Sequence, residues 1–145
     1  MKHALEQAKI ANDCQEVPVG AVIAKGGKII SVGYNQTESL NDPTAHAEII
    51  AIRKACAELN NWRLTECILY TTLEPCAMCA GAILQSRLKK VVWGAPDIRC
   101  GGGGSFINVL EAGFEIHQVE VEKGLLADEA AELMRTFFRQ RRQPC

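Results

Sequence analysis

The chain has 145 residues, of which 48% are hydrophobic and 23% are charged, with a formal net charge of -1. This composition is typical of a globular protein and excludes a strong attraction of the whole chain to nucleic acid. No apolar run approaches the roughly 20 residues of a membrane span, and residues 1–6 lack the apolar core of a signal peptide. We therefore expect a single domain over residues 1–145, a cytoplasmic location and no membrane partner.

The cysteine content is high, with seven in the chain. Their odd number and the absence of a secretion signal argue against a disulfide framework. Two of them, Cys76 and Cys79, are interpreted below as metal ligands. The remaining five are interpreted as small apolar side chains or reduced thiols, and they are Cys14, Cys56, Cys67, Cys100 and Cys145.

The first third of the chain predicts a helix followed by a hairpin. Residues 2–14 carry apolar side chains at helical spacing. Residues 17–24 and 28–35 are apolar strands, and the glycine-containing turn over 25–28 is typical of a hairpin. Asn35 ends the second strand, where its spacing alone favours the interpretation of a turn residue.

A second helix and a third strand follow a polar loop over residues 36–41. Asp42-Pro43 is expected to start the helix, with Asp42 as N-cap and Pro43 at the first helical position. The helix should continue to about Leu59, where Asn60-Asn61 stops it. Residues 68–73 are β-branched and aromatic enough for a central strand.

The segment over residues 74–121 predicts two further helices, two strands and a loop. Glu74-Pro75 should open a helix, and residues 89–95 should form the fourth strand. The glycine run over 101–104 lies in a long loop, and Ser105 is expected to cap a short helix to Leu110. Residues 114–121 alternate in polarity as an edge strand does, and this pattern puts His117 on the solvated face.

The last helix is expected over residues 125–142, with one apolar stripe formed by Leu126, Ala130, Leu133 and Phe137. Together with the preceding elements, it predicts a three-layer α/β/α sandwich with a central mixed five-stranded sheet.

Two short motifs carry the chemistry. In the first motif, His46 and Glu48 form H-x-E. In the second motif, Pro75, Cys76 and Cys79 form P-C-x-x-C. On a helix, the spacing of the two cysteines puts both sulfur atoms on one face, about one turn apart. With His46 they give three ligands for a zinc ion, and an open fourth position marks a catalytic site.

Glu48 is better placed as a proton carrier than as a fourth ligand, because residues two apart point to different sides of a helix. A lone C-x-x-C also fits a structural metal site or a redox pair. The combination with H-x-E is a known signature of zinc-dependent nucleobase deaminases, and it favours a catalytic zinc site.

The sequence resembles the bacterial tRNA-specific adenosine deaminases of the cytidine deaminase superfamily. The similarity covers nearly the whole chain, and its longest run is LYTTLEPCAMCAGAILQS at residues 69–86. The other matching segments are residues 17–22, 33–35, 42–49, 91–95, 126–129 and 137–139, with Arg87.

This resemblance implies hydrolytic deamination of the wobble adenosine in a tRNA anticodon stem-loop, giving inosine, by a homodimer of cytidine deaminase-like fold. It implies one Zn²⁺ per subunit on His46, Cys76 and Cys79, with Glu48 as the proton shuttle. It also implies that Asn35 contacts the base and that Asp97 lies near the ribose of the target nucleotide.

The last helix is interpreted as an RNA contact. Arg135, Arg139 and Arg142 share one helical face, which fits contacts with a nucleic-acid backbone. Phe138 lies among them and could stack on a base, although a core position is an equal interpretation. Phe137 fits a core position better.

Two alternative functions remain open from the sequence. One is a deaminase of a free nucleobase or nucleoside such as guanine or cytosine, which would share the zinc site and the fold. The other is a non-catalytic, zinc-stabilised RNA-binding module.

Overall fold

A computed structural model of the chain describes residues 1–112 and 115–143. Within those residues there are five helices and five strands. The helices are α1 (Lys2–Asp13), α2 (Thr37–Leu40), α3 (Ala47–Leu59), α4 (Ala77–Gln85) and α5 (Ala127–Arg142). The strands are β1 (Gly20–Lys25), β2 (Lys28–Tyr34), β3 (Cys67–Leu73), β4 (Lys90–Ala95) and β5 (Glu120–Lys123).

The strands form one mixed sheet in the order β2-β1-β3-β4-β5, which confirms the predicted sheet and the central position of β3. β1 is antiparallel to both β2 and β3, whereas β3, β4 and β5 are parallel. This arrangement brings the carboxyl ends of β2, β3 and β4 and the amino end of β1 to one edge of the sheet. Segments that enter and leave these strands therefore meet at that edge.

Two glycines set the helix layers against the sheet. A Cβ atom at Gly20 would clash with the backbone of α1, at the carbonyl of Ala4. A Cβ atom at Gly33 would lie 2.5 Å from the Ala47 carbonyl oxygen, at the start of α3. Gly33 pairs with Ala21, the neighbour of Gly20, so the two glycines face opposite sides of the sheet. The helices thus form the outer layers of the predicted three-layer sandwich.

The main core lies between the sheet and the layer of α3 and α4. Leu69, Ile83 and Val91 are fully buried within it. Each such side chain contributes about 1.5–3 kcal/mol of transfer free energy on burial. A smaller cluster forms where Leu5 of α1, Ala95 of β4 and Ala130 of α5 meet on the other side. In the part of the chain described, no helix has the length and apolarity that crossing a membrane requires.

The prediction that α3 starts at Asp42-Pro43 is wrong. The Asp42 carboxylate accepts hydrogen bonds from the backbone N–H and the hydroxyl of Thr44, which forms a local turn in place of a helix cap. The helix begins only at Ala47, with His46 as its N-cap in an extended conformation. The short helix α2 was also not predicted, since residues 36–41 were expected to be a loop.

The start of α4 was also predicted too early. Glu74 continues the sheet, because its backbone N–H donates to the carbonyl of Ala95. The Pro75 carbonyl accepts a hydrogen bond from Gly102, and Cys76 is the N-cap. α5 likewise begins at Ala127, two residues after the predicted start.

The region between β4 and β5 differs most from the prediction. The helix expected from Ser105 to Leu110 is absent, because the N–H groups of Ile107 and Val109 bond to Gly101 and Gly102. The edge strand predicted over 114–121 is shorter and later, at Glu120–Lys123, and Phe114 lies outside the described residues.

His117 was predicted to be solvated, and this is wrong. It is partly buried, and its Nε2 atom lies 2.7 Å from the carbonyl oxygen of Leu88. That contact ties the segment before β5 to the residues before β4.

Candidate metal centre and substrate cavity

The candidate site lies at the sheet edge where four connecting segments meet. Asn35 directly follows β2, and Cys76 follows β3 by three residues. Asp97 follows β4, and Val19 directly precedes β1. The topology of the sheet therefore brings together residues that are far apart in the sequence.

The three predicted ligands form one cluster. The Sγ atoms of Cys76 and Cys79 lie 3.6 and 3.5 Å from Nδ1 of His46. His46 and Cys76 are the N-caps of α3 and α4, and Cys79 lies in the first turn of α4. Two helix starts therefore face each other at this cluster. Their free N–H groups and positive dipole ends favour thiolates at this position.

This cluster has the geometry of a metal site. The three ligand atoms lie within 4.8 Å of one another, and no further His, Cys, Asp or Glu of the described residues joins the group. For a tetrahedral zinc ion with bonds of about 2.3 Å to sulfur and 2.05 Å to nitrogen, sulfur and nitrogen ligands lie about 3.6 Å apart. The observed distances meet this value. Three ligands leave one tetrahedral position for a small molecule.

Hydrogen bonding shifts the pKa values of the two cysteines in opposite directions. The hydrogen bond with Cys79 lowers the pKa of the Cys76 thiol to about 4. The same hydrogen bond raises the pKa of Cys79, which burial raises further. The pKa of His46 is raised, mainly by its hydrogen bond with Cys76. One thiolate is therefore already stabilised where a cation would bind.

Glu48 is buried beside this cluster but is not one of its ligands. Its Oε1 atom accepts a hydrogen bond of 3.1 Å from the Thr71 hydroxyl. Its Oε2 atom lies 3.6 Å from the Cys79 sulfur. Burial raises the pKa of the Glu48 carboxyl group. A carboxyl group with a raised pKa is suited to accept and return a proton near neutral pH.

A cavity of about 250 Å³ opens in front of the cluster. Its lining includes His46 and Glu48 of the H-x-E motif, the thiol of Cys76, the polar side chains of Asn35 and Thr37, and the acidic side chain of Asp97. Asn35 is buried, with 6% of its surface exposed, and it lies in the cavity wall. Asp97 accepts hydrogen bonds from the backbone N–H groups of Arg99 and Cys100, which orders the loop at the cavity mouth.

The predicted RNA-contacting residues lie outside this cavity. Phe138 and Arg139 line a groove of about 610 Å³ on α5, together with Arg135 and Arg142. Phe137 is buried, with 4% of its surface exposed, whereas 38% of Phe138 is exposed. An intervening cleft of about 370 Å³ connects the two, since it shares Asp97 with the cavity and Phe138 with the groove.

Three buried polar residues near the site were not singled out from the sequence. Thr71 is fully buried and bonds to Glu48, and Glu16 and Glu74 are each 1% exposed. The signal for Thr71 was a hydroxyl within a buried strand. Glu16 directly precedes an apolar run. The local sequence pattern does not distinguish a buried glutamate at such a position from a solvated one.

Comparison with known proteins identifies the family. The family model of the MafB19-like deaminases matches residues 1–142. A tRNA-specific adenosine deaminase of Haemophilus influenzae is 46% identical over 144 residues, which are 99% of this chain and 83% of that protein. The chain belongs to the tRNA-specific adenosine deaminase family. A chloroplastic tRNA(adenine(34)) deaminase of Arabidopsis thaliana is 45% identical over 97% of this chain, which spans only 12% of that longer protein.

Solved structures of deaminases share the fold of this family member. One, from a study of A-to-I editing by tRNA:A34 deaminases at the wobble position, has a TM-score of 0.88 and 42% identity. The match covers 92% of this chain and 96% of that one. A guanine deaminase of Bacillus subtilis is 36% identical over 99% of this chain and 92% of its own, with a TM-score of 0.65.

Proposed function

We propose that this protein is a zinc-dependent enzyme that deaminates the wobble adenosine of a tRNA anticodon to inosine. The observation that carries the proposal is the cavity of about 250 Å³, whose lining includes His46, Glu48, Cys76, Asn35 and Asp97. Membership of the tRNA-specific adenosine deaminase family supports the choice of substrate.

His46, Cys76 and Cys79 would hold the zinc ion. The softness of two thiolates and one imidazole fits zinc better than magnesium or calcium, which prefer oxygen ligands. When bound, zinc would lower the pKa of a water molecule and so supply the nucleophile for attack on C6 of adenine.

Glu48 would act as the proton shuttle of the reaction. Its carboxylate would take a proton from the attacking water and deliver it to N1 of adenine. A second transfer through the same carboxyl group would carry the proton of the hydroxyl group added at C6 to the departing amino group. Water and adenosine then give inosine and ammonia. The Thr71 hydroxyl, 3.1 Å from Oε1, would hold one carboxylate oxygen while the other exchanges the proton.

Asn35 and Asp97 would hold the target nucleotide. The Asn35 amide offers both a donor and an acceptor to the edge of the base. Asp97 lies at the cavity mouth, where the sugar of an inserted nucleotide would pass. The nucleotide must be extruded from the anticodon loop to enter, at a cost of a few kcal/mol for unstacking.

The groove on α5 would bind the flanking RNA. Arg139 and Arg142 supply positive charge for phosphates, and the exposed ring of Phe138 supplies a stacking surface. The cleft beside Asp97 gives a continuous surface from the cavity to this groove. A free base would not use this surface, so the continuity supports RNA over the free-base alternative.

We include a homodimer in the proposal. Large apolar side chains are exposed near the site, with Ile98 at 77% and Phe106 at 63%. A partner subunit would remove such surface from water. Light scattering should give a mass near twice 15.8 kDa, and a monomer would contradict this part. A single domain and a cytoplasmic location complete the proposal.

The test of substrate compares two kinds of substrate in one assay. The protein is incubated with an anticodon stem-loop that carries adenosine at the wobble position, and separately with guanine and with cytosine. Inosine should form in the stem-loop, and neither free base should be turned over. Turnover of guanine or cytosine alone would contradict the proposed substrate and favour the free-base deaminase.

A further inference from the structure

Glu16 is a buried carboxylate that takes no part in the chemistry described above. It is 1% exposed and directly precedes the segment that leads into β1. Its two oxygen atoms accept hydrogen bonds from backbone N–H groups of a distant segment. Oε1 lies 2.7 Å from the amide nitrogen of Ser39, and Oε2 lies 3.2 Å from that of Glu38.

These two hydrogen bonds hold the short helix α2. The helix has four residues, far below the length at which a helix is stable alone. The first N–H groups of any helix have no partner within it, and the N-cap residue Gln36 makes no side-chain capping bond. Glu16 supplies acceptors from outside the segment for two of these groups, the N–H groups of Glu38 and Ser39. A buried carboxylate needs such donors, so the interaction satisfies both partners.

The helix α2 continues directly from one wall of the cavity. Asn35 and Thr37, which line the cavity, lie just before α2 and at its first residue. The Asn35 N–H donates to the Val19 carbonyl at 3.1 Å, and the Gln36 N–H donates to the Ala45 carbonyl at 3.0 Å. Those bonds fix the backbone of residues 35 and 36 against the residue before β1 and against the residue before His46. At the far end, on the side of α2, the two bonds to Glu16 fix the segment together with the Asp42 N–H, which donates to the Thr37 carbonyl at 3.1 Å.

We propose that Glu16 is a positioning residue that holds Asn35 and Thr37 in place to recognise the extruded base. The inference rests on the proposed function, since it assumes that the cavity binds the wobble adenosine. Glu16 acts through the wall and not through the metal, because its carboxylate is committed to the α2 backbone. Its removal should therefore affect recognition of the base more than retention of metal or binding of flanking RNA.

The test measures binding of two stem-loops in a Glu48→Ala background, which cannot turn over substrate. One stem-loop has adenosine at the wobble position, and the other has an abasic nucleotide there. Glu16→Gln keeps the size of the side chain but replaces one acceptor oxygen with a donor. It should weaken binding of the adenosine loop by about tenfold, as expected for loss of a charged buried hydrogen bond. Binding of the abasic loop should not change.

Amide hydrogen exchange provides a direct second measurement. In Glu16→Gln, the amides of Glu38 and Ser39 should exchange faster than in the parent, because their acceptor is weakened. Glu38→Gln is the matched control, since it makes the same change at an exposed position of α2. The control should bind both stem-loops as the parent does.

Each outcome of this comparison decides the inference. Equal weakening on both loops, or unchanged binding despite faster exchange at 38 and 39, would overturn it. A parent that does not prefer the adenosine loop would overturn the proposed function and this inference together. If Glu16→Gln does not fold, Glu16→Asp takes its place, because the shorter side chain cannot reach both N–H groups. It should then show the same selective loss, and no selective loss would overturn the inference.

Discussion

His46 and Glu48 are two residues apart in the chain. His46 belongs to the cluster with Cys76 and Cys79, whereas Glu48 lies beside that cluster. His46 precedes α3 with an extended backbone (ψ of 152°), whereas Glu48 is within the first turn of the helix. On a helix, residues two apart already point to different sides. The change from an extended backbone at His46 to a helical one at Glu48 also separates the two side chains. The carboxylate is directed to Thr71 and the Cys79 sulfur, which leaves it outside the group of His46, Cys76 and Cys79.

Replacing the Glu48 carboxylate with an amide should separate chemistry from metal binding. We expect Glu48→Gln to lower the rate of inosine formation by about 10²- to 10⁴-fold, because the amide cannot shuttle a proton. Zinc content, measured by elemental analysis, should stay at that of the parent. Cys79→Ala, in contrast, should lose zinc because it removes a ligand.

The control for this substitution is Glu58→Gln, which makes the same change at an exposed position of α3. It should leave both rate and zinc content unchanged. Loss of zinc from Glu48→Gln to the level of Cys79→Ala would mean that Glu48 is itself a ligand, and the assigned role would be wrong.

At the scale of elements, the glycine run packs against the turn that carries Cys76, one of the proposed metal ligands. Gly101 forms an isolated β-bridge with Cys76, and the Gly102 N–H donates to the Pro75 carbonyl at 2.7 Å. A Cβ atom at Gly101 would clash with the buried carboxylate of Glu74. This loop therefore supports the start of α4 from outside the helix.

Gly101→Ala should destabilise the protein, because a methyl group there displaces Glu74 and the Cys76 turn. Overpacking of this kind costs about 1–3 kcal/mol in the free energy of unfolding. Gly81→Ala is the matched control, since a Cβ atom at Gly81 in α4 meets nothing within 4 Å. It should stabilise the helix by about 0.5–1 kcal/mol. Urea denaturation measures both, and a Gly101→Ala protein as stable as the parent would contradict the packing described.

The arginines of the groove on α5 should make binding of the stem-loop depend on salt concentration. Arg139→Ala should weaken binding of the anticodon stem-loop, and the slope of log affinity against log salt should fall by about 0.7. Arg53→Ala removes an equally exposed arginine from α3 and should leave the slope unchanged. Binding measured over a range of salt concentrations tests this. Equal slopes for both variants would remove α5 from the RNA interface.

Helix starts show where local pattern succeeds and where it fails. Pro43 and Pro75 correctly indicated helices nearby, because each motif does begin one. The exact starts at Ala47 and Ala77 depend on the Asp42 turn and on the bond between Gly102 and Pro75. α2 could not be predicted at all, since its caps come from Glu16, more than 20 residues away.

At the scale of the whole molecule, the sequence predicted the layers of the fold and the grouping of His46, Cys76 and Cys79, but not the cavity. Alternating strands and helices indicate a mixed sheet, and ligand spacing indicates the cluster, because both are local patterns. The order of strands decides which loops meet, and it puts Asn35, Cys76 and Asp97 at one edge. The spacing of Asn35 favoured the interpretation of a turn residue. Only the family resemblance implied that it contacts the base. Its place in the cavity wall follows from the sheet.

The central claim is that zinc at His46, Cys76 and Cys79 is required for deamination of the wobble adenosine. The most direct measurement is inosine formation on an anticodon stem-loop at graded zinc content, after stepwise removal by a chelator and after restoration. The rate should rise in proportion to zinc content and reach its maximum at one zinc ion per chain. Full activity without zinc, or no inosine at one zinc ion per chain, would contradict it.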